Sequence, residues 1–273
     1  MVKKETVKKV AARSYLGLIL LLMYLPIIIL MIYSFTDSLR LGEWNGFTFK
    51  LYGDLIDNKE LMKATRNTLI IALSNATVST ILGTIGALGV YYSRRRVKKV
   101  VEAATQLPVV NAEIVMALSL AVVFKSLNTS YSFGTLLLGH MVLTVAFVYL
   151  NVKPKLVQMD PNIYEAALDL GSTPRHALFK VVLPEILPGI FSGFLIAMTL
   201  SLDDFVITQY LKEPSFETIS TYIQKIIAKH PIPPEVRALT TLIFLGVLVV
   251  VVGNTIYNNR KAKNVISKRR RGV

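Results

Sequence analysis

The feature that most limits this chain is a series of apolar runs, each about twenty residues long and nearly free of charge. That is the length an α-helix needs to cross a hydrocarbon layer about 30 Å thick. The runs fall at about 14–36, 67–92, 106–125, 133–152, 185–208 and 237–258. Within lipid, backbone polar groups must be satisfied inside the segment, so such runs become helices. The sequence therefore predicts an all-α integral membrane protein with six transmembrane helices. The first run, Ser14 to Phe35, is longer than a signal-peptide core and has no clear small-residue cleavage site, so it is read as a retained span.

The net charge of +14 would suit nucleic acid, but the basic residues sit beside the apolar runs, where they specify topology instead. With an N-terminus in the cytoplasm, roughly two-thirds of the 31 Lys and Arg residues lie on the cytoplasmic side. Both termini are expected there, and the basic end after residue 258 reads as an anchor against anionic lipid. The absence of cysteine excludes disulfides and thiolate metal sites. His140, His176 and His230 show no metal-ligand spacing, and no catalytic constellation is evident. The single tryptophan, Trp44, is read as a packing or interface residue.

Two connecting segments are informative. Between the fourth and fifth runs, residues 160–184 carry their own punctuation. Asp160 and Pro161 start a short helix, and Gly171 is placed to end it in a left-handed turn. Thr173 and Pro174 then start a second helix reaching towards Pro184. Ile163, Ala167 and Leu170 are expected to share one face, with Glu165 and Asp169 one turn apart. The two alanines would leave a low surface for another protein, or the loop packs under its own bundle. Outside, Ile219, Tyr222, Ile223, Ile226 and Ile227 repeat as one face of an amphipathic helix at about 217–229, which Pro231, Pro233 and Pro234 stop. It serves either as a structural interfacial helix or as contact with an external partner. Within the second run, Gly83, Gly86, Gly89, Ser79, Thr80 and Ala87 predict close helix packing, and Pro108 predicts a break near the inner end of the third.

Glu165-Ala166-Ala167, Gly171, Val181 and Leu183-Pro184 together resemble the conserved loop of ABC importer permeases, with Val181 where that family usually has isoleucine. Arg66-Asn67-Thr68-Leu69 is similar to the start of the same family's transmembrane domain. The segments around Glu113, Asp203 and Pro234 are similar to the permeases of spermidine/putrescine importers. The resemblance implies the type I ABC importer permease (MetI-like) fold, with a domain at about 65–257, residues 1–64 before it and a basic tail at 258–273. It implies that Glu165, Ala166, Ala167, Gly171, Leu183 and Pro184 couple the chain to an ATPase subunit. It further implies a bacterial cytoplasmic (inner) membrane location, a second homologous permease, two ATP-binding subunits and an external polyamine-binding protein. The chain has no G-x-x-x-x-G-K-[ST] motif, so no cofactor is expected on it and ATP-Mg is expected on the partner subunits. No enzymatic activity of its own is expected, and no nucleic acid.

Three carboxylates fall within the runs: Glu113, Asp203 and Asp204. An ionised carboxylate in hydrocarbon costs about 2.5–3.5 kcal/mol even on the lenient insertion scale. They are expected to face the bundle interior or water. One reading makes them cation sites for a polyamine; the other has them cap a helix break or pair with a basic group. Their positions along the runs predict different depths, Glu113 near the inner side and the aspartates roughly 23 Å from it. Adjacent aspartates on a helix point about 100° apart, so one of the pair is expected to face a passage. Permeases of the same fold for another solute (an amino acid, ferric iron, sulfate) and ion-coupled secondary transporters share these features and differ in what drives or competes for uptake.

Overall fold

A computed structural model describes residues 2–38, 42–228, 233–249 and 252–253, with residues 2–12 by backbone alone. The basic tail at 258–273, His230 and Pro231 lie outside the described residues. The described residues divide into two units, one formed by 60–229 and the other by the two ends of the chain.

The end unit contains α1 (Val2–Tyr33), α2 (Lys50–Asp57) and helical residues 235–249 and 252–253. In α1 the segment Arg13–Tyr33 is apolar throughout and none of its most apolar window is buried, which is the behaviour of a lipid-facing span. Just beyond it, Phe35 stacks on Phe47 with ring centroids 5.4 Å apart and meets Phe49 edge-on at 5.6 Å. Trp44 packs edge-on against Tyr33 at 6.3 Å. Ser34 and the Tyr52 hydroxyl share a 2.9 Å hydrogen bond, and Arg237 donates to the Ser38 carbonyl at 3.0 Å. The predicted span at 237–258 starts as a helix, and its last turns lie outside the described residues.

The larger unit is built on α3 (Lys59–Tyr91), α6 (Phe133–Gln158) and α9 (Leu183–Asp203). Small residues decide how these helices meet. On α9, Gly189, Gly193 and Ala197 follow one another at i+4 and form a buried stripe. A Cβ on Gly189 would lie 2.9 Å from the Asn151 carbonyl oxygen, and one on Gly193 would lie 3.1 Å from Cγ1 of Val148. As numbers rise along α9 they fall along α6, so this pair is antiparallel. From α3, Gly83 meets Val148 and Ser79 meets Thr144, so α3 and α6 run parallel. The predicted close approach along α3 is thus real at Ser79, Gly83 and Ala87, whereas Gly86 and Gly89 face outward with open space around them.

The third predicted span is corrected. Residues 95–126 form two helices, α4 (Arg95–Val110) and α5 (Glu113–Ser126), bent by 107° at Asn111–Ala112. Pro108 lies inside α4 and the break comes after it. None of the residues of α4 is buried, and its first turn is strongly basic, so it reads as a surface helix feeding a shorter, apolar α5. Glu102 of α4 pairs with Lys153 of α6 at 2.6 Å. Among the described residues four helices are long and apolar enough to cross a membrane, or five with the bent pair taken as one span. The sixth predicted span, 237–258, runs partly outside the described residues.

The fifth predicted span is also longer and interrupted. It begins at α8 (Pro174–Ala177), passes through a widened π turn at Leu178–Val182, and continues as α9. The widening sits immediately before Pro184, whose ring has no N–H to give and would crowd the carbonyl four residues earlier. At the other end α9 stops at Asp203, and α10 (Val206–Leu211) follows after a two-residue break.

Candidate functional site

The loop at 160–184 forms as its sequence dictates. Asp160 Oδ1 accepts from the Asn162 amide at 2.9 Å, starting α7 (Asn162–Asp169). Gly171 adopts φ +83. Around it Ser172 N donates to the Ala167 carbonyl at 3.1 Å and Gly171 N to that of Leu168 at 2.9 Å. These two bonds are the pair that closes a helix C-terminus when its next residue is left-handed. Thr173 Oγ1 then accepts from His176 N at 3.3 Å and caps α8. The chain therefore folds back at Gly171 without leaving helix-end carbonyls unmet.

The faces of α7 differ in part from the expected ones. Ile163, Tyr164, Ala167 and Leu168 are half-buried, and Ile163 and Tyr164 pack on the core. Tyr164 also meets Tyr92, just past the end of α3, with ring centroids 5.6 Å apart. The outer face presents Glu165, Ala166 and Asp169, followed by Leu170, which is 89% exposed. Leu170 thus does not share a face with Ile163 and Ala167: it sits past the last helical turn, where the chain bends towards Gly171. Leu183 is half-buried and Pro184 exposed, both at the start of α9, and Leu183 packs on the same core as Ile163 and Tyr164. The α7 helix has no buried residue, yet it is held by an aromatic contact at one side and the Gly171 turn at its end.

At the opposite end of the unit, the amphipathic segment forms α11 (Ile219–Ile227), capped by Thr218 and Thr221. Tyr222 is buried, while Ile227 is exposed. The Ile219 amide donates to Thr68 Oγ1 of α3 at 2.8 Å, and Asn67 of α3 donates to the Glu217 carbonyl at 2.9 Å. These bonds fix the helix to the end of α3, so it packs on its own bundle.

The three carboxylates lie on adjoining elements, Glu113 at the start of α5 and Asp203 and Asp204 just before α10. The break at Asn111–Ala112 starts α5 with Glu113, and α5 packs against α10. Glu113 is consequently within electrostatic reach of both Asp204 and Asp203. The expectation of separate depths assumed one straight third helix, and the 107° bend shows that the third helix is not straight. Among the three carboxylates the surroundings differ. Glu113 and Asp203 are exposed on the chain's surface, whereas Asp204 is 6% exposed. Asp204, the C-cap of α9 and one residue before the N-cap Phe205 of α10, holds the start of α10 by accepting from Ile207 N at 3.1 Å, Thr208 N at 2.8 Å and Thr208 Oγ1 at 2.6 Å. Three donors on one buried carboxylate satisfy its charge internally.

Asp204 also opens onto a buried polar cluster. His140 of α6, 1% exposed, lies between Ser201 of α9 and Thr208 of α10, with Nδ1 2.8 Å from Ser201 Oγ and Nε2 3.1 Å from Thr208 Oγ1. Its Nε2 is 3.3 Å from Asp204 Oδ2. One turn further along α6, Thr144 Oγ1 lies 3.0 Å from Asn75 Oδ1 and 2.8 Å from Ser79 Oγ of α3. Asn75 Nδ2 reaches the Ala197 carbonyl of α9 at 3.4 Å. Charge counting overlooked these residues. The signal that finds them is any strongly polar side chain inside an apolar run, here Asn75 and His140, not ionised ones alone.

Residues 61–261 match the family described as binding-protein-dependent transport system inner membrane component. The chain is 35% identical over 242 residues to the spermidine/putrescine transport system permease protein PotC of Escherichia coli (strain K12), covering 88% of this chain and 91% of that one. It is 35% identical over 236 residues to the putrescine transport system permease protein PotI of the same strain, covering 84% and 83%. Among solved structures, it superimposes with TM-score 0.72 at 18% identity on a bacterial ABC transporter involved in the import of the acidic polysaccharide alginate, covering 93% of this chain and 96% of that one. An amino acid ABC transporter with histidines gives TM-score 0.57 at 17% identity, covering 77% and 98%. Long apolar helices, the loop closed at Gly171 and a match across most of its length place this chain in the family of binding-protein-dependent transport system inner membrane components, as a multi-pass membrane permease.

Proposed function

We propose that this chain is the permease subunit of an ATP-driven importer of spermidine or putrescine. The observation that carries the substrate class is the identity to two polyamine permeases over more than four-fifths of the chain. The site chemistry agrees with it. Glu113 and Asp203 leave two carboxylates exposed on adjoining elements, and Asp204 adds a third, buried one. A polyamine carries several strongly hydrated ammonium groups. Neighbouring carboxylates replace part of that hydration as the cation passes. In this reading Glu113 and Asp203 meet the substrate, and Asp204 fixes the backbone that carries Asp203.

The exposed face of α7 is the proposed contact to an ATP-binding subunit. Glu165 supplies the charge, Ala166 the close approach, and Leu170 an apolar edge; Ala167 and Gly171 set the helix and its turn. Leu183 and Pro184 start the span that transmits its movement. This puts α7 and both termini in the cytoplasm, in agreement with the positive-inside distribution. ATP-Mg is assigned to two partner subunits, with a second homologous permease and an external polyamine-binding protein completing the transporter.

The test is uptake of labelled spermidine and putrescine into proteoliposomes holding the whole transporter. Transport that requires ATP and the binding protein, and that unlabelled polyamines but not sulfate or amino acids compete for, is the expected outcome. Uptake driven by an ion gradient with ATP absent would overturn the proposal.

A further inference from the structure

The polar cluster under Asp204 has a property that neither the family match nor the carboxylates explain. Among the described residues, His140 is the side chain that touches both sides of the α9–α10 break, Ser201 before it and Thr208 after it. The proton inventory fixes how. Asp204, as a carboxylate, only accepts, so the single Thr208 hydroxyl proton is spent on Asp204 Oδ2. Nε2 faces Thr208 Oγ1 at 3.1 Å and Asp204 Oδ2 at 3.3 Å, both of which can only accept from it, and this places a proton on Nε2. On a neutral ring Nδ1 is then the acceptor for the Ser201 hydroxyl. A neutral imidazole with its proton on Nε2 satisfies every group in this set.

The geometry of the break gives this arrangement a consequence. Asp203 follows Ser201 by two residues on the same helix, which is a rotation of about 200°. Seating Ser201 against His140 inside the bundle therefore turns Asp203 to the opposite, exposed side. Asp204 next to it is turned in and held at the start of α10. We propose that His140 is a positioning residue: by joining Ser201 and Thr208 across the break, it holds Asp203 on the open face. This rests on the reading of Asp203 as part of the substrate route. It adds a residue on another helix, with no place on that route, that sets which way the carboxylate points.

The chain contains no cysteine, so a single introduced thiol is the only one on its band once the subunits are separated after labelling. The experiment uses the complete transporter in proteoliposomes, with Asp203→Cys in otherwise native, His140→Leu and His140→Gln backgrounds, and a positively charged methanethiosulfonate reagent as probe. Ser119→Cys, at an exposed position of α5, serves as a control in each background. The expected result is modification of Asp203→Cys in the native background and a rate roughly tenfold lower with His140→Leu, which leaves Ser201 and Thr208 without their partner. His140→Gln, which offers both a donor and an acceptor, should restore most of the rate, while Ser119→Cys reacts equally in all three. Equal rates for Asp203→Cys in the native and His140→Leu backgrounds would overturn the proposal, as would no modification in any background. A parallel fall at Ser119→Cys would also overturn it, by showing general loss of structure. None of these readings depends on which solute is carried, so failure of the polyamine assignment appears only in the uptake assay.

Discussion

At Asp203 and Asp204 two neighbouring carboxylates have separate fates, and single substitutions can tell them apart. Asp204→Ala removes the acceptor of three hydrogen bonds in a buried place. The purified protein should lose roughly 2 kcal/mol or more of stability, read as a lower midpoint in a thermal unfolding scan in detergent. Asp203→Asn and Glu113→Gln change exposed groups and should leave that midpoint within a degree or two while lowering uptake several-fold. If Asp203→Asn unfolds the protein as Asp204→Ala does, the assignment of roles is reversed. Gly189 offers a second contrast at this scale. A side chain there meets the Asn151 carbonyl, a backbone atom that cannot swing away, so Gly189→Leu should push α6 and α9 apart and cost about 1–3 kcal/mol. Gly86→Leu, facing open space, should cost little by comparison.

Among the described elements, α7 packs one face on the core and presents Glu165, Ala166 and Asp169 on an exposed outer face. Its turn rests on the φ of +83 at Gly171, where no neighbouring atom would meet a Cβ. A substitution there is therefore a backbone strain alone. Gly171→Val should cost about 1–2 kcal/mol and loosen the loop, while Gly171→Asn, which tolerates the left-handed region, should cost less. Glu165→Arg leaves the fold of α7 intact and reverses its exposed charge. Copurification of the ATP-binding subunits should fall with Glu165→Arg while the melting midpoint of the permease alone stays constant. Retained assembly would remove α7 from the contact. The break between α9 and α10 is the other element with a clear mechanical role, because it lets one polar side chain change direction within a span that otherwise has to be helical.

For the whole molecule, the alternation of helix ends makes a topology prediction. The Tyr92–Tyr164 contact gathers the ends of α3 and α6 with α7 on one side, and α11 is bonded to the start of α3 on the other. Arg175→Cys should react with a membrane-impermeant thiol reagent only from the cytoplasmic side, and Ser215→Cys only from the outside. The reverse pattern would refute the orientation drawn from charge. Of the aromatic residues after α1, Trp44, Phe47 and Phe49 remain half-exposed or more, as side chains at a membrane interface do.

Sequence alone determined that the chain is helical and lies in a membrane, because length and hydropathy leave no other way to satisfy the backbone in lipid. It also determined where the loop at 160–184 starts, bends and restarts, since Asp160, Gly171, Thr173 and Pro174 each act through local geometry that needs no distant partner. What it did not determine are the features that depend on contacts far apart in the chain. Pro108 signalled a break in the third span, but neither its position at Asn111–Ala112 nor its 107° angle, nor the interruption at Asp204, follows from periodicity. The outward turn of Leu170 follows from how α7 seats on the bundle. The placing of Glu113 and Asp203 on adjoining elements, and the imidazole of His140 between Ser201 and Thr208, join residues separated by some 60–90 positions. A buried polar group finds its partner only once helices have packed, and it is that packing which decided which of three acids faces outward and which one holds the bundle.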